Sequence, residues 1–180
     1  MELKKRNKWS KQSGTSLIEL TIACLVLIVG VLGVATLIPI AIGANSRNRQ
    51  QSNSTVIAQM VMEKILSVPA GTSPVLVLND CLPNAHNVNT FGSAGAGSGA
   101  TLLPSGDVNF NAAAPAGYSV LYTACAPTGG QSVYDVRWNI QAPSTYVKLI
   151  TVSAKLRGSG TDLKYFSLPV TIRSMAGQGS

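Results

Sequence analysis

From Leu20 to Ala44 the chain runs for 25 residues without a charged side chain. As an α-helix that run would reach roughly 37 Å, against a bilayer hydrocarbon core of roughly 30 Å. The segment is therefore expected to span a membrane, with lipid as its surroundings. At 180 residues the chain has room for this span and one medium domain beyond it. Lys4, Lys5, Arg6, Lys8 and Lys11 precede the run, and only Arg47 and Arg49 follow closely. The positive-inside bias then keeps the N-terminus in the cytoplasm and sends the C-terminal body across. The same cluster carries most of the net charge of +7. Without residues 1–14, nine basic residues stand against six acidic ones, or +3, and the nine are scattered. Little is left of the basic patch that a nucleic-acid partner needs, and none is expected.

Two other uses of an N-terminal apolar run fit less well. A signal peptide cut after Pro39, near Ile42-Gly43-Ala44, would need an apolar core from Leu20 to about Pro39, longer than the usual 7–15 residues. A lipoprotein attached through Cys24 would place its cysteine at the start of the run instead of the end.

Neither use explains Glu19, whose carboxylate falls in the stretch KQSGTSLIEL just ahead of the uncharged run. An ionised carboxylate in hydrocarbon needs a partner or must neutralise. A cut between Gly14 and Thr15 would supply one, because the new α-amine of Thr15 stands four residues before Glu19. The alternative is an interfacial Glu that reaches water at the membrane edge.

A basic leader ending in Gly14, followed by Thr15-Ser16-Leu17-Ile18-Glu19 and a long apolar helix, resembles the processing site of type IV prepilins and pseudopilins. The resemblance implies cleavage after Gly14 by a prepilin peptidase and N-methylation of Thr15. It also implies pairing of Glu19 with the terminal amine of a neighbouring subunit during assembly. The first mature residue in that family is most often Phe or Met, and here it is Thr15. Pro39, mature residue 25, corresponds loosely to a helix-kinking proline of the family. The tail from Arg137 to Arg173 is similar to the closing strands of PilV-type minor pilins and minor pseudopilins. The partners so implied are the peptidase, other pilin or pseudopilin subunits, an inner-membrane assembly platform and membrane lipid. The implied setting is a bacterial inner membrane, the body in the periplasm, and then a pilus or pseudopilus. A single-pass anchored periplasmic binding protein that does not polymerise is the alternative from another class, and a type II secretion minor pseudopilin the alternative within the family.

Beyond the span, Ile57, Ala58, Val61, Met62 and Ile65 recur at helical spacing until Val68-Pro69. The expected organisation is a leader over 1–14, a membrane and assembly helix over 15–44, its amphipathic continuation over 45–66, and a periplasmic domain over 67–180. Residues 67–117 carry few regular signals apart from Val75 to Leu78, and the small-residue run 92–100 predicts a flexible loop. After Gly117 the period becomes two. Tyr118 to Tyr122, Tyr134 to Ile140, Ile150 to Leu156 and Phe166 to Ile172 each alternate apolar with mostly polar residues, predicting strands that bury one face and wet the other. Turn signals lie at Pro127-Thr128-Gly129-Gly130, Ala142-Pro143-Ser144 and Gly158-Ser159-Gly160. Pro169 predicts an edge position or a bulge for the last strand. The fold class is α+β, a long N-terminal helix packed on an antiparallel sheet of about four strands, which is also what the prepilin resemblance implies.

Cys24 falls in the span, where a thiol behaves as a small apolar group. Cys81 and Cys125 fall in the exported part, where oxidising conditions favour a disulfide over free thiols. Zinc lacks ligands with one histidine, His86, and no Cys-x-x-Cys. Asp80, Asp107, Asp135 and Asp162 are the only acids beyond the helix, and no motif supplies His86 with a nucleophile. Neither an enzymatic activity nor a cofactor is expected.

Overall fold

The computed structural model describes residues 16–126, 129–158 and 168–177. Within them one helix, α1 (Leu17–Leu66), precedes seven strands. These are β1 (Val75–Asn79), β2 (Ala85–Asn89), β3 (Ser98–Gly99), β4 (Ser119–Cys125), β5 (Gln131–Ser144), β6 (Val147–Leu156) and β7 (Val170–Gly177). The chain divides into two units, Met1–Ala44 and Asn45–Ser180.

In the first unit the described residues from Leu17 onward are helical and exposed along their whole length. Leu17, Leu25, Ile28, Leu32 and Ile38 all present their side chains outward. Such a surface is unfavourable in water and at home in hydrocarbon. Among the described residues α1 is the one helix long and apolar enough to cross a membrane. Pro39 lies inside it. Having no N–H, it leaves the Ala35 carbonyl without its usual helical donor, the local condition for a kink.

In the second unit α1 buries Ser54, Ile57, Ala58, Val61, Met62 and Ile65, the spacing of one helix face. The five apolar ones share a core with Leu78, Val88, Val120, Tyr134, Val136, Trp138, Ile140, Ile150, Val152 and Ala154. The helix ends as expected: Ser67 N–H donates to the Glu63 carbonyl (2.9 Å) and Val68 N–H to that of Ile65 (3.3 Å), just before Pro69.

The larger sheet is antiparallel, with β5 at its centre. One edge of β5 pairs with β4 and, farther along, with β3; the other pairs with β6, and β7 lies beyond β6. The expected four-stranded meander is β4-β5-β6-β7. Pro169 stands immediately before β7, the outer strand, where its missing N–H interrupts no ladder. Phe166 and the turn residues Ser159 and Gly160 lie outside the described residues, as do Pro127 and Thr128.

Three expectations are corrected. Ala142-Pro143-Ser144 is not a turn: β5 runs through Ser144, the turn is Thr145-Tyr146, and the register shifts between Gln141 and Ser144. A bulge at that point accommodates a proline that has no ladder donor. The 67–117 region contains an antiparallel hairpin, β1 with β2, closed at its base pair Val75 and Asn89. The glycine-rich run is a strand lane, not a free loop, since Ser98 and Gly99 pair with Ile140 and Asn139 of β5. Gly99 has φ +108°, and a Cβ there would lie 2.4 Å from the Trp138 carbonyl oxygen, so only glycine fits.

Cys81, just after β1, is bonded to Cys125 at the end of β4, with Cα atoms 5.9 Å apart and a sequence separation of 44. Closing a loop of that length contributes up to about 4 kcal/mol by restricting the unfolded chain. Cys24 is a free, exposed thiol.

Candidate functional site

Glu19 stands exposed in the first turn of α1, the one charged residue between Ser16 and Ala44. The turn is started by Leu20 N–H donating to the Ser16 carbonyl (3.1 Å), and Thr21 Oγ1 donates to the Ile18 carbonyl (2.8 Å). The first turn of a helix holds unpaired N–H groups and the positive end of the macrodipole, a setting that favours a carboxylate. Around Glu19 the surface is Leu17, Ile18, Leu20 and Ile22, all exposed. Up to Ala44 the helix thus offers one carboxylate on an apolar surface. Gly14 and Thr15, the expected cleavage bond and methylation site, lie outside the described residues.

The second group of polar residues surrounds Asp80 in the β1–β2 connection. His86, in the 67–117 region that carries few regular signals, is on β2 opposite Leu78. Asp80 Oδ1 accepts from the backbone N–H groups of Leu82 (2.9 Å) and Asn84 (3.0 Å). Its Oδ2 accepts from Asn84 Nδ2 (3.0 Å) and lies 3.3 Å from His86 Nε2. The carboxylate ties the turn that carries Cys81. Among the described residues no hydroxyl or thiol is bonded to His86, so the pair has no nucleophile to activate. Asp135 and Asp107 are each held by an arginine, Arg137 and Arg173, and Asp162 lies outside the described residues. No three of the described His, Cys, Asp and Glu residues are grouped to hold a metal ion.

No protein-family model matches the chain, and neither does any curated protein or solved structure.

Burial raises the Asp80 pKa, but the hydrogen bonds from Asn84, His86 and Leu82 outweigh it and hold the carboxyl well below its ordinary range. A carboxyl with a depressed folded-state pKa contributes stability above its unfolded value and loses that contribution as pH falls through the folded one. The thermal midpoint should therefore drop as pH falls below about 4, and the drop should be shallower in Asp80→Asn. That variant should also be less stable at neutral pH, because an amide NH₂ would face donors. Circular dichroism melts across the acid range check this; equal slopes in the two proteins would remove Asp80 from the acid response.

The sequence reading missed the polar residues inside the body. Lys148 is buried with its Nζ donating to the Thr72 and Thr90 carbonyls and to Ser73 Oγ. Burial lowers its pKa. The amine pins the segment after α1 and the end of β2 to β6. On the opposite face of the sheet Arg137, Asn139, Thr151 and Ser153 are buried instead of wet. Asn139 Nδ2 donates to the Ala96 (3.1 Å) and Ala100 (2.9 Å) carbonyls, and Arg137 Nη1 to that of Ala112 (2.7 Å). Residues 96–112 therefore lie over this polar face, bonded to it through their backbone.

Proposed function

We propose that this chain is a prepilin-type structural subunit, a minor pilin or pseudopilin. It is cut after Gly14, anchored by its apolar helix, and assembled through that helix into a type IV pilus or related filament. The observation that carries the reading is Glu19: one carboxylate in the first turn of a helix that is exposed and otherwise uncharged through Ala44, four residues after Thr15 of a Gly-Thr bond preceded by a basic leader. Contacts between apolar helices would supply most of the assembly energy. The pairing of Glu19 with the Thr15 amine of a neighbour would set axial register, because a displaced subunit leaves a charge unpaired in a dry environment. The body is then a scaffold: a helix stripe on a sheet, tied by the Cys81–Cys125 bond.

The test is the intact mass and N-terminal sequence of the protein from membranes of a host with an active prepilin peptidase. The expected start is Thr15, with about 14 Da added where the amine is methylated. An uncut Met1 would replace this reading with a membrane-anchored protein that does not polymerise, and a start near Asn45 would replace it with a secreted soluble domain.

A further inference from the structure

A cleft of about 650 Å³ opens on the polar side of β4, β5 and β6, and its lining includes Phe110, Leu121, Asp135, Arg137, Lys155 and Arg157. Pockets of this size hold small ligands or a few residues of a peptide. Its charges are unevenly satisfied. Arg137 binds Asp135 through Nη2 (2.7 Å) and Nε (3.0 and 3.1 Å), donates to the Ala112 carbonyl through Nη1, and lies 5.0 Å over the Phe110 ring. That bidentate pair neutralises Asp135, the one acid lining the cleft among the described residues.

Lys155 stands opposite Asp135 in the β5–β6 register, yet its Nζ lies 5.9 Å over the same ring of Phe110. Arg157 is exposed two residues further on, its backbone N–H donating to the Val133 carbonyl. Among the described residues no acid lies within ion-pair distance of either side chain. Two cations therefore line the cleft, Lys155 over a partly exposed aromatic ring, and the exposed Leu121 lines it with them. Two cations are too few for a nucleic-acid track. A bare anion would use them and leave the apolar lining uncovered, whereas an acidic peptide would satisfy both.

We propose that this cleft binds a short acidic peptide segment of a partner protein. A carboxylate would sit between Lys155 and Arg157, and a neighbouring apolar side chain against Phe110 and Leu121. The interaction stands apart from filament assembly and does not depend on processing at Gly14.

The full chain in detergent micelles would be titrated by calorimetry with an acetylated, amidated Leu-Glu-Leu-Glu peptide, its Leu-Gln-Leu-Gln counterpart, and inorganic phosphate. The Glu peptide should bind at least about tenfold more tightly than the Gln peptide, and more weakly as salt rises, as partly exposed ion pairs do. The double variant Lys155→Gln with Arg157→Gln should lose about tenfold in affinity. Its circular dichroism melt should shift only slightly, since neither side chain makes a hydrogen bond or ion pair among the described residues and only the Lys155 contact over Phe110 is lost. Leu121→Ala should weaken the Glu peptide and leave phosphate unaffected. Equal binding of the two peptides, undiminished binding by the double variant, or no peptide binding at millimolar concentration would each overturn the proposal. Phosphate binding as tight as that of the Glu peptide would do so too, leaving a simple anion site.

Discussion

Glu19→Ala should leave the protein in the membrane and take it out of the filament. The apolar surface of α1 is unchanged by the substitution, and removing a charge from the end of a membrane segment makes insertion easier. The core lies elsewhere, among Ile57 to Ile65 and the sheet, so the body should fold and its disulfide should form. On the reading proposed above, what disappears is the acceptor for the neighbour's terminal amine. Breaking one side of a buried pair leaves the other charge uncompensated, which costs about 3–5 kcal/mol and reduces incorporation by two orders of magnitude or more. Glu19→Gln keeps the shape and loses the charge, and should fail almost as badly. Glu19→Asp keeps the charge on a shorter arm and should retain part of the activity. The measurement is an immunoblot of subunit in sheared filaments against subunit in membranes. Normal incorporation of Glu19→Gln would mean that register is set by apolar packing alone.

The position of Glu19 is legible in the sequence, because a carboxylate beside a 25-residue uncharged run stands out without any fold. The partner proposed for it is less so, since a Thr15 amine would exist only after a cut at a bond outside the described residues. The α1 stripe and the four meander strands were readable for a related reason: burial on one side imposes period 3.6 on Ile57 to Ile65 and period two on Tyr134 to Ile140. β1 and β2 left little such trace, as each buries a single apolar residue, Leu78 and Val88. Composition misled at the glycine run, where small residues are needed for close backbone approach to β5 and resemble a linker only in isolation. Period two also predicts which face a residue takes but not whether that face meets water. Asn139 and Arg137 follow the polar alternation faithfully and are nonetheless covered, their partners being carbonyls of residues far away in sequence. Lys148 carried a readable signal: counting back by two from Ile150 puts it on the inner face. Lysine is so seldom fully buried that alternation alone does not assign it there.

Trp138→Ala should be the most damaging single change in the body, lowering stability by about 3–5 kcal/mol. The side chain is fully buried at the middle of β5 and belongs to the core that α1 covers. Its indole Nε1 donates to the Asn89 carbonyl (3.0 Å) at the end of β2, and its ring lies 6.2 Å from that of Tyr118 in a tilted contact. Its backbone joins two further segments, the N–H donating to the Tyr118 carbonyl and the carbonyl accepting from Ala100 N–H. Truncation therefore opens a cavity and strips a buried carbonyl of its donor at the point where the hairpin, β4 and the glycine-rich lane meet. Trp138→Phe separates the two effects. It keeps most of the apolar volume and loses the hydrogen bond, and should be destabilised by about 1–3 kcal/mol. Urea unfolding of the full chain in detergent, followed by far-ultraviolet circular dichroism with the disulfide intact, measures both. If the Phe variant lost as much as the Ala variant, the bond to Asn89, and not the packing under α1, would be what holds the hairpin to the sheet. If it lost almost nothing, the hairpin would be held chiefly by the Cys81–Cys125 bond, and reduction of that bond should then release it.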